Sequence, residues 1–123
     1  MIIASPFVAV DNNKEELKFY QRVLGGEIVV LRKQGEEVLN AELRLGSTKI
    51  TFADTQAAQP TAKGDYVKVF LRIEKEEEFR RVYAGLAEGG QITKEAYEAP
   101  FNGLLATLTD RNGVAWVLSY YRE

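Results

Sequence analysis

Leu24-Gly25-Gly26-Glu27-Ile28 and Glu88-Gly89-Gly90-Gln91-Ile92 are two copies of one punctuation mark. Each places a double glycine after a run with helical periodicity and before a run with strand character, as a helix stop should. Upstream of the first copy, Leu17, Tyr20 and Leu24 recur on one helical face across Glu15 to Leu24. Upstream of the second, Phe79, Val82, Tyr83 and Leu86 do the same across Lys75 to Ala87. Before each helix lies a strand-like segment, Phe7 to Val10 in one case and Tyr66 to Ile73 in the other. Asn12 and Glu15 have the spacing of a capping box at the first helix start.

Three strand-like runs follow each stop. In the first half they are Glu27 to Arg32, Val38 to Leu45 and Lys49 to Ala53, with Gly35 and Gly46-Ser47 at the turns. In the second they lie near Gln91 to Tyr97, Leu104 to Thr109 and Val114 to Tyr121, with Asn102-Gly103 and Asn112-Gly113 as turn signals. The chain is a βαβββ unit written twice. The expected fold is α+β, with two tandem βαβββ modules forming a curved, mainly antiparallel sheet and helices on its outer face. One domain is expected over 1–123, with module one at about 1–55, a linker at 56–64 rich in small and polar residues, and module two at about 65–123.

The 123 residues contain no histidine and no cysteine, carry a net charge of -2, and are 46% hydrophobic and 28% charged. The charge argues against a nucleic-acid footprint, which needs a basic face. No apolar run is long enough to span a membrane, and no signal peptide is visible, so the expected location is the cytoplasm. The missing residue types remove the commonest metal ligand, general base and thiol nucleophile. No Gly-rich phosphate loop and no Gly-x-Ser-x-Gly turn occurs.

Strand alternation assigns faces. Ala41, Leu43 and Leu45 oppose Asn40, Glu42 and Arg44; Val67, Val69, Leu71 and Ile73 oppose Lys68, Phe70 and Arg72. Each strand has one apolar side for the helices. The other side is mixed, and is either solvated or the lining of a small-molecule cavity. On the second reading the ligand-binding residues are Phe7, Asn40, Glu42, Arg44, Lys68, Phe70, Arg72 and Phe101. Three cations against one carboxylate favour an anionic or carbonyl-rich ligand.

The duplicated pattern resembles the vicinal oxygen chelate superfamily of glyoxalases, extradiol dioxygenases and bleomycin-resistance proteins. The resemblance rests on Val10-Asp11 through Phe19-Tyr20 to Val23-Leu24-Gly25, on Ala41-Glu42-Leu43-Arg44-Leu45-Gly46 followed by Asp54, and on Asp110-Arg111-Asn112-Gly113-Val114-Ala115-Trp116. Its nearest flavour is the 3-demethylubiquinone-methyltransferase-like branch. The resemblance implies four inward metal-ligand positions, near Ser5, Glu42, Lys68 and Val117. Only Glu42 among them is a strong ligand, so the expectation is no metal and no cofactor. The resemblance also puts Lys68 in the metal's place, paired with Glu42, and implies a homodimer that binds a small molecule without transforming it. The alternatives are a metal-independent isomerase or lyase with Glu42 and Lys68 as acid and base, and a non-catalytic structural or interaction module.

Overall fold

In the computed structural model, strand β1 (Phe7–Val10) leads into helix α1 (Asn13–Leu24), and then β2 (Glu27–Gln34), β3 (Glu37–Leu45) and β4 (Thr48–Asp54) meander back. The sequence of elements then repeats as β5 (Val69–Ile73), α2 (Glu76–Ala87), β6 (Gln91–Glu98), β7 (Gly103–Thr109) and β8 (Ala115–Tyr121). The structure describes residues 1–56 and 62–122, so most of the expected linker, 57–61, lies outside the described residues. Two compact units result, Met1–Ala62 and Lys63–Glu123.

The strand order is β1-β4-β3-β2 in the first unit and β5-β8-β7-β6 in the second. Tight turns make the β2–β3 and β3–β4 pairs antiparallel, and likewise β6–β7 and β7–β8. The helix carries the chain back across the sheet, so β1 runs parallel to β4 and β5 parallel to β8. The α+β class and the tandem βαβββ pattern hold. The sheet itself is divided into two four-stranded sheets, each with its own helix on one face. Among the described residues no helix is long and apolar enough to cross a membrane.

The helices pack as their periodicity requires. Leu17, Tyr20 and Val23 of α1 are buried, as are Ala41, Leu43, Ile50 and Phe52 of the sheet. The Tyr20 and Phe52 rings stack at 4.6 Å between centroids. Val23 rather than Leu24 completes the buried stripe. In the second unit Phe79, Val82 and Leu86 are buried, together with Leu104, Leu108, Trp116 and Leu118 of its sheet. Each large apolar side chain so buried contributes about 1.5–3 kcal/mol before entropy is charged.

The repeated glycines have a steric reason beyond stopping a helix. A Cβ on Gly26 would stand 2.3 Å from the Arg44 carbonyl oxygen, and one on Gly90 would stand 2.3 Å from that of Thr109. In both units the chain leaving the helix passes too close to the strand beside it for any side chain.

Two local expectations are corrected. The capping box does not form: Asn12 is left-handed (φ 54°) and its side chain makes no cap bond. Asp54, at the far end of β4, accepts the Asn13 amide at 2.9 Å instead. The buried Asn13 side chain donates to the carbonyls of Val38 and Phe52, both at 3.2 Å, and pins the helix start to the sheet. Strand β5 is also shorter than its alternation predicts. Its ladder with β8 begins at Val69 opposite Trp116, so residues 66–68 have no strand partner and Tyr66 and Val67 stay exposed.

Candidate functional sites on the helix-free faces

The register places residues on faces without ambiguity, because residues paired across strands share a side. In the first unit Phe7, Thr51, Glu42 and Val29 form one cross-strand row on the face away from α1. Asn40 pairs with Ala53 in the next row on that side, and Arg44 pairs with Lys49 in the row beyond Glu42. Phe7, Asn40, Glu42 and Arg44 therefore share one face, as the alternation predicts.

Glu42 stands out because it is only 6% exposed on a face otherwise rich in polar groups. Its Oε1 accepts from Arg44 Nε at 3.1 Å and Nη2 at 3.0 Å. Its Oε2 accepts from Lys49 Nζ at 2.7 Å. Lys49, followed by Arg44, holds the Glu42 carboxyl below the usual carboxylate range; burial pulls the other way and is outweighed. One carboxylate between two cations leaves this cluster with a net positive charge. Lys68, the residue the resemblance would pair with Glu42, belongs to the second unit. Lys68, outside β5, donates to the Asp65 carbonyl at 2.7 Å and lies 3.9 Å from the Asp65 carboxylate.

In the second unit the corresponding row is Phe70, Val117, Thr107 and Lys94. Arg72 and Ser119 follow on the same face. The Arg72 guanidinium lies 4.4 Å from the Tyr121 ring centroid, and the far partner of Tyr121 is Phe101, stacked at 4.3 Å with 22° between planes. Phe101 sits in the β6–β7 connection, which is tied at several points. The Ala99 amide donates to the Gly103 carbonyl at 3.0 Å, and the Arg122 amide to Asn102 at 2.7 Å. The Arg122 guanidinium grips Glu98 with two bonds of 2.7 and 2.9 Å. Gly103 permits this closure, since a Cβ there would lie 1.9 Å from the Tyr120 carbonyl oxygen and 2.7 Å from Phe101.

Arg72 and Phe101 thus meet at Tyr121, while Phe70 lies further back on the same face, opposite Val117, and Lys68 precedes the strand. Two participants escaped the sequence-based site, Lys49 and Tyr121. Alternation alone could have found Lys49, because Lys49, Thr51 and Ala53 face away from buried Ile50 and Phe52.

The family's divalent metal can be tested against these side chains. The two units are equivalent row by row, which makes Thr51 the counterpart of Val117 and Thr107 the counterpart of Glu42. Glu42 already spends both oxygens on cations, Lys68 is itself a cation, and Val117 has no donor atom. Ser5 and Thr51 add only hydroxyls. Among the described residues no three histidine, cysteine, aspartate or glutamate side chains gather as a metal site would need. The donor set does not fit a divalent ion, which wants several oxygen or nitrogen ligands.

Comparison with known proteins agrees with the architecture. The fold is shared with protein PA1353 from Pseudomonas aeruginosa, at 22% identity and a TM-score of 0.83 with all of both chains covered. A putative 3-demethylubiquinone-9 3-methyltransferase, PhnB protein, from Bacillus cereus is similar at 23% identity and a TM-score of 0.81, covering 97% of this chain and 99% of its own. A glyoxylase/bleomycin resistance protein/dioxygenase domain from a Frankia species gives 16% identity and a TM-score of 0.75, covering 100% of this chain and 93% of its own. No curated protein matches the sequence significantly. The family model that matches spans residues 2–118. With that span, the duplicated unit and its register in hand, the chain belongs to the Glyoxalase/Bleomycin resistance protein/Dioxygenase superfamily.

Proposed function

We propose that this protein binds a small anionic molecule on the helix-free faces of its sheets, without a metal ion and without transforming the ligand. It does so as a single cytoplasmic domain that pairs as a homodimer. The observation that carries the reading is the Glu42 cluster: both carboxylate oxygens are held by Arg44 and Lys49. That arrangement engages both oxygens with cations, which repel a metal ion, and the surplus positive charge favours an anion. A base at Glu42 would need its carboxyl raised toward neutral pH, and the two cations push it down. Lys68, the acid partner in the alternative reading, donates to the Asp65 carbonyl, and nothing in its surroundings favours that reading over binding.

The test is calorimetric titration with acetate, benzoate and inorganic phosphate, and with cyclohexylamine as the cationic control. Anions are expected to bind saturably and to weaken with salt, and the amine not to bind. Losing one charge-assisted contact in Lys49→Met should weaken an anion by about tenfold. Absence of anion binding, or product formed from any bound compound by NMR, would overturn the reading. Light scattering after size exclusion checks the dimer; a monomer at micromolar concentration removes that part.

A further inference from the structure

Arg72 is handled differently from four other arginines of this chain. Arg44, Arg80, Arg81 and Arg122 each lie within 4.0 Å of a carboxylate. Arg72 is exposed, and among the described residues it has no acidic partner. What holds it is an aromatic surface: Tyr121 lies 4.4 Å from its guanidinium, and Phe101 backs Tyr121 at 4.3 Å. No acidic residue occurs at any paired position of this face on β5, β7 or β8. The charge is neither neutralised nor loose, because stacking limits the side-chain motion that an anion would otherwise have to freeze.

The neighbour on the same strand face is Phe70, two residues earlier and 55% exposed. Side chains at i and i+2 of a strand stand about 6.6 Å apart. Phe70 and Tyr121 therefore flank Arg72 on one face, and a carboxylate on Arg72 whose ring system runs back along the strand is directed toward Phe70. The tied β6–β7 connection keeps Phe101 in place, so the stack exists before any ligand arrives.

We propose that Arg72, Tyr121, Phe101 and Phe70 form a recognition site for planar aromatic carboxylates. The proposal rests on the anion-binding reading above and names its ligand class. Arg72 supplies a forked pair of donors to the carboxylate. The flat ring of the ligand packs on Phe70, and a saturated ring of equal size gains no comparable contact.

The experiment compares 2-naphthoate, decahydro-2-naphthoate and 2-naphthamide by calorimetry on the full chain. Naphthoate should bind about fivefold or more tighter than its saturated analogue, from one aromatic contact of ordinary strength. The amide should be weaker still. Arg72→Gln, at an exposed position where folding is not at stake, should weaken naphthoate by about tenfold. Phe70→Leu should remove the preference for the flat ring while leaving the saturated acid unchanged. Circular dichroism of each variant checks the fold. Equal binding of the two acids, or undiminished naphthoate binding in Arg72→Gln, overturns the aromatic site while the anion reading stands. Failure of every carboxylate and of phosphate to bind overturns both.

Discussion

Replacing Asp110 with alanine should unsettle the second unit more than most single changes would. Asp110 is 3% exposed and opens the turn into β8. Its Oδ1 accepts from the amides of Asn112 at 2.8 Å and Val114 at 3.0 Å. Its Oδ2 accepts from the indole N–H of Trp116 at 2.8 Å, and Trp116 is fully buried. After truncation the two turn amides recover part of their loss from water, while the indole N–H is left unpaired inside the core. An orphaned buried donor costs about 1–3 kcal/mol and each hydrogen bond to a charged group about 1.5–3 kcal/mol. Allowing for water at the turn, Asp110→Ala should cost about 3–5 kcal/mol. Trp116→Phe removes the orphan before it arises. In that background Asp110→Ala should cost about 1–2 kcal/mol less, which is the coupling of the pair. The assay is urea denaturation followed by far-UV circular dichroism, because Trp116 is the only tryptophan and cannot serve as the probe. A loss below about 1 kcal/mol in the wild-type background, or no coupling in the cycle, refutes the idea that Asp110 organises this turn through the indole.

Other outcomes follow from the same geometry. Glu42 has a folded pKa below its ordinary value of 4.5. Its contribution is therefore fully present above that value and disappears as pH falls through the lower folded one. Glu42→Gln should flatten the acid side of a stability–pH curve, and an unchanged slope below pH 4.5 would count against the cluster. Asp54→Ala should cost about 1 kcal/mol by uncapping α1, whereas Asn12→Gly should be nearly neutral, because Asn12 contributes a left-handed backbone and no cap bond; thermal melts separate the two. Gly103→Ala should destabilise by at least about 2 kcal/mol, since its Cβ has a carbonyl oxygen in its way; a neutral result means the β6–β7 connection relaxes easily. Micromolar zinc, nickel or manganese should leave the melting temperature unchanged, and a rise of several degrees would show a ligand set other than the one described.

The legible parts of the fold were those written in short-range pattern. Helical periodicity, strand alternation and the two double-glycine stops each act within a few residues, so the βαβββ repeat and most element boundaries could be read directly. The failures share a cause. Asn12 had the right spacing for a cap, but Asp54 fills that role from 41 positions beyond Asn13, whose amide it accepts. Lys68 alternated with Phe70 and Arg72, but β8 offers the β5 ladder no partner before Val69. Strand length is settled by the neighbouring strand as much as by the residues themselves.

The candidate site divides along the same line. Sequence alone fixed which side chains point away from the helices, because alternation is geometric. It also fixed the chemistry that this chain lacks, since no fold can supply a histidine. Only tertiary structure decided which charges meet. Lys49 reaches Glu42 because β3 and β4 pair Arg44 with Lys49 in one register, and a slip of one residue would turn it to the other face. Arg72 meets Tyr121 because β5 lies beside β8. Ion pairs and ring stacks require approach within a few ångströms, and strand pairing sets those distances in a way local pattern does not reveal.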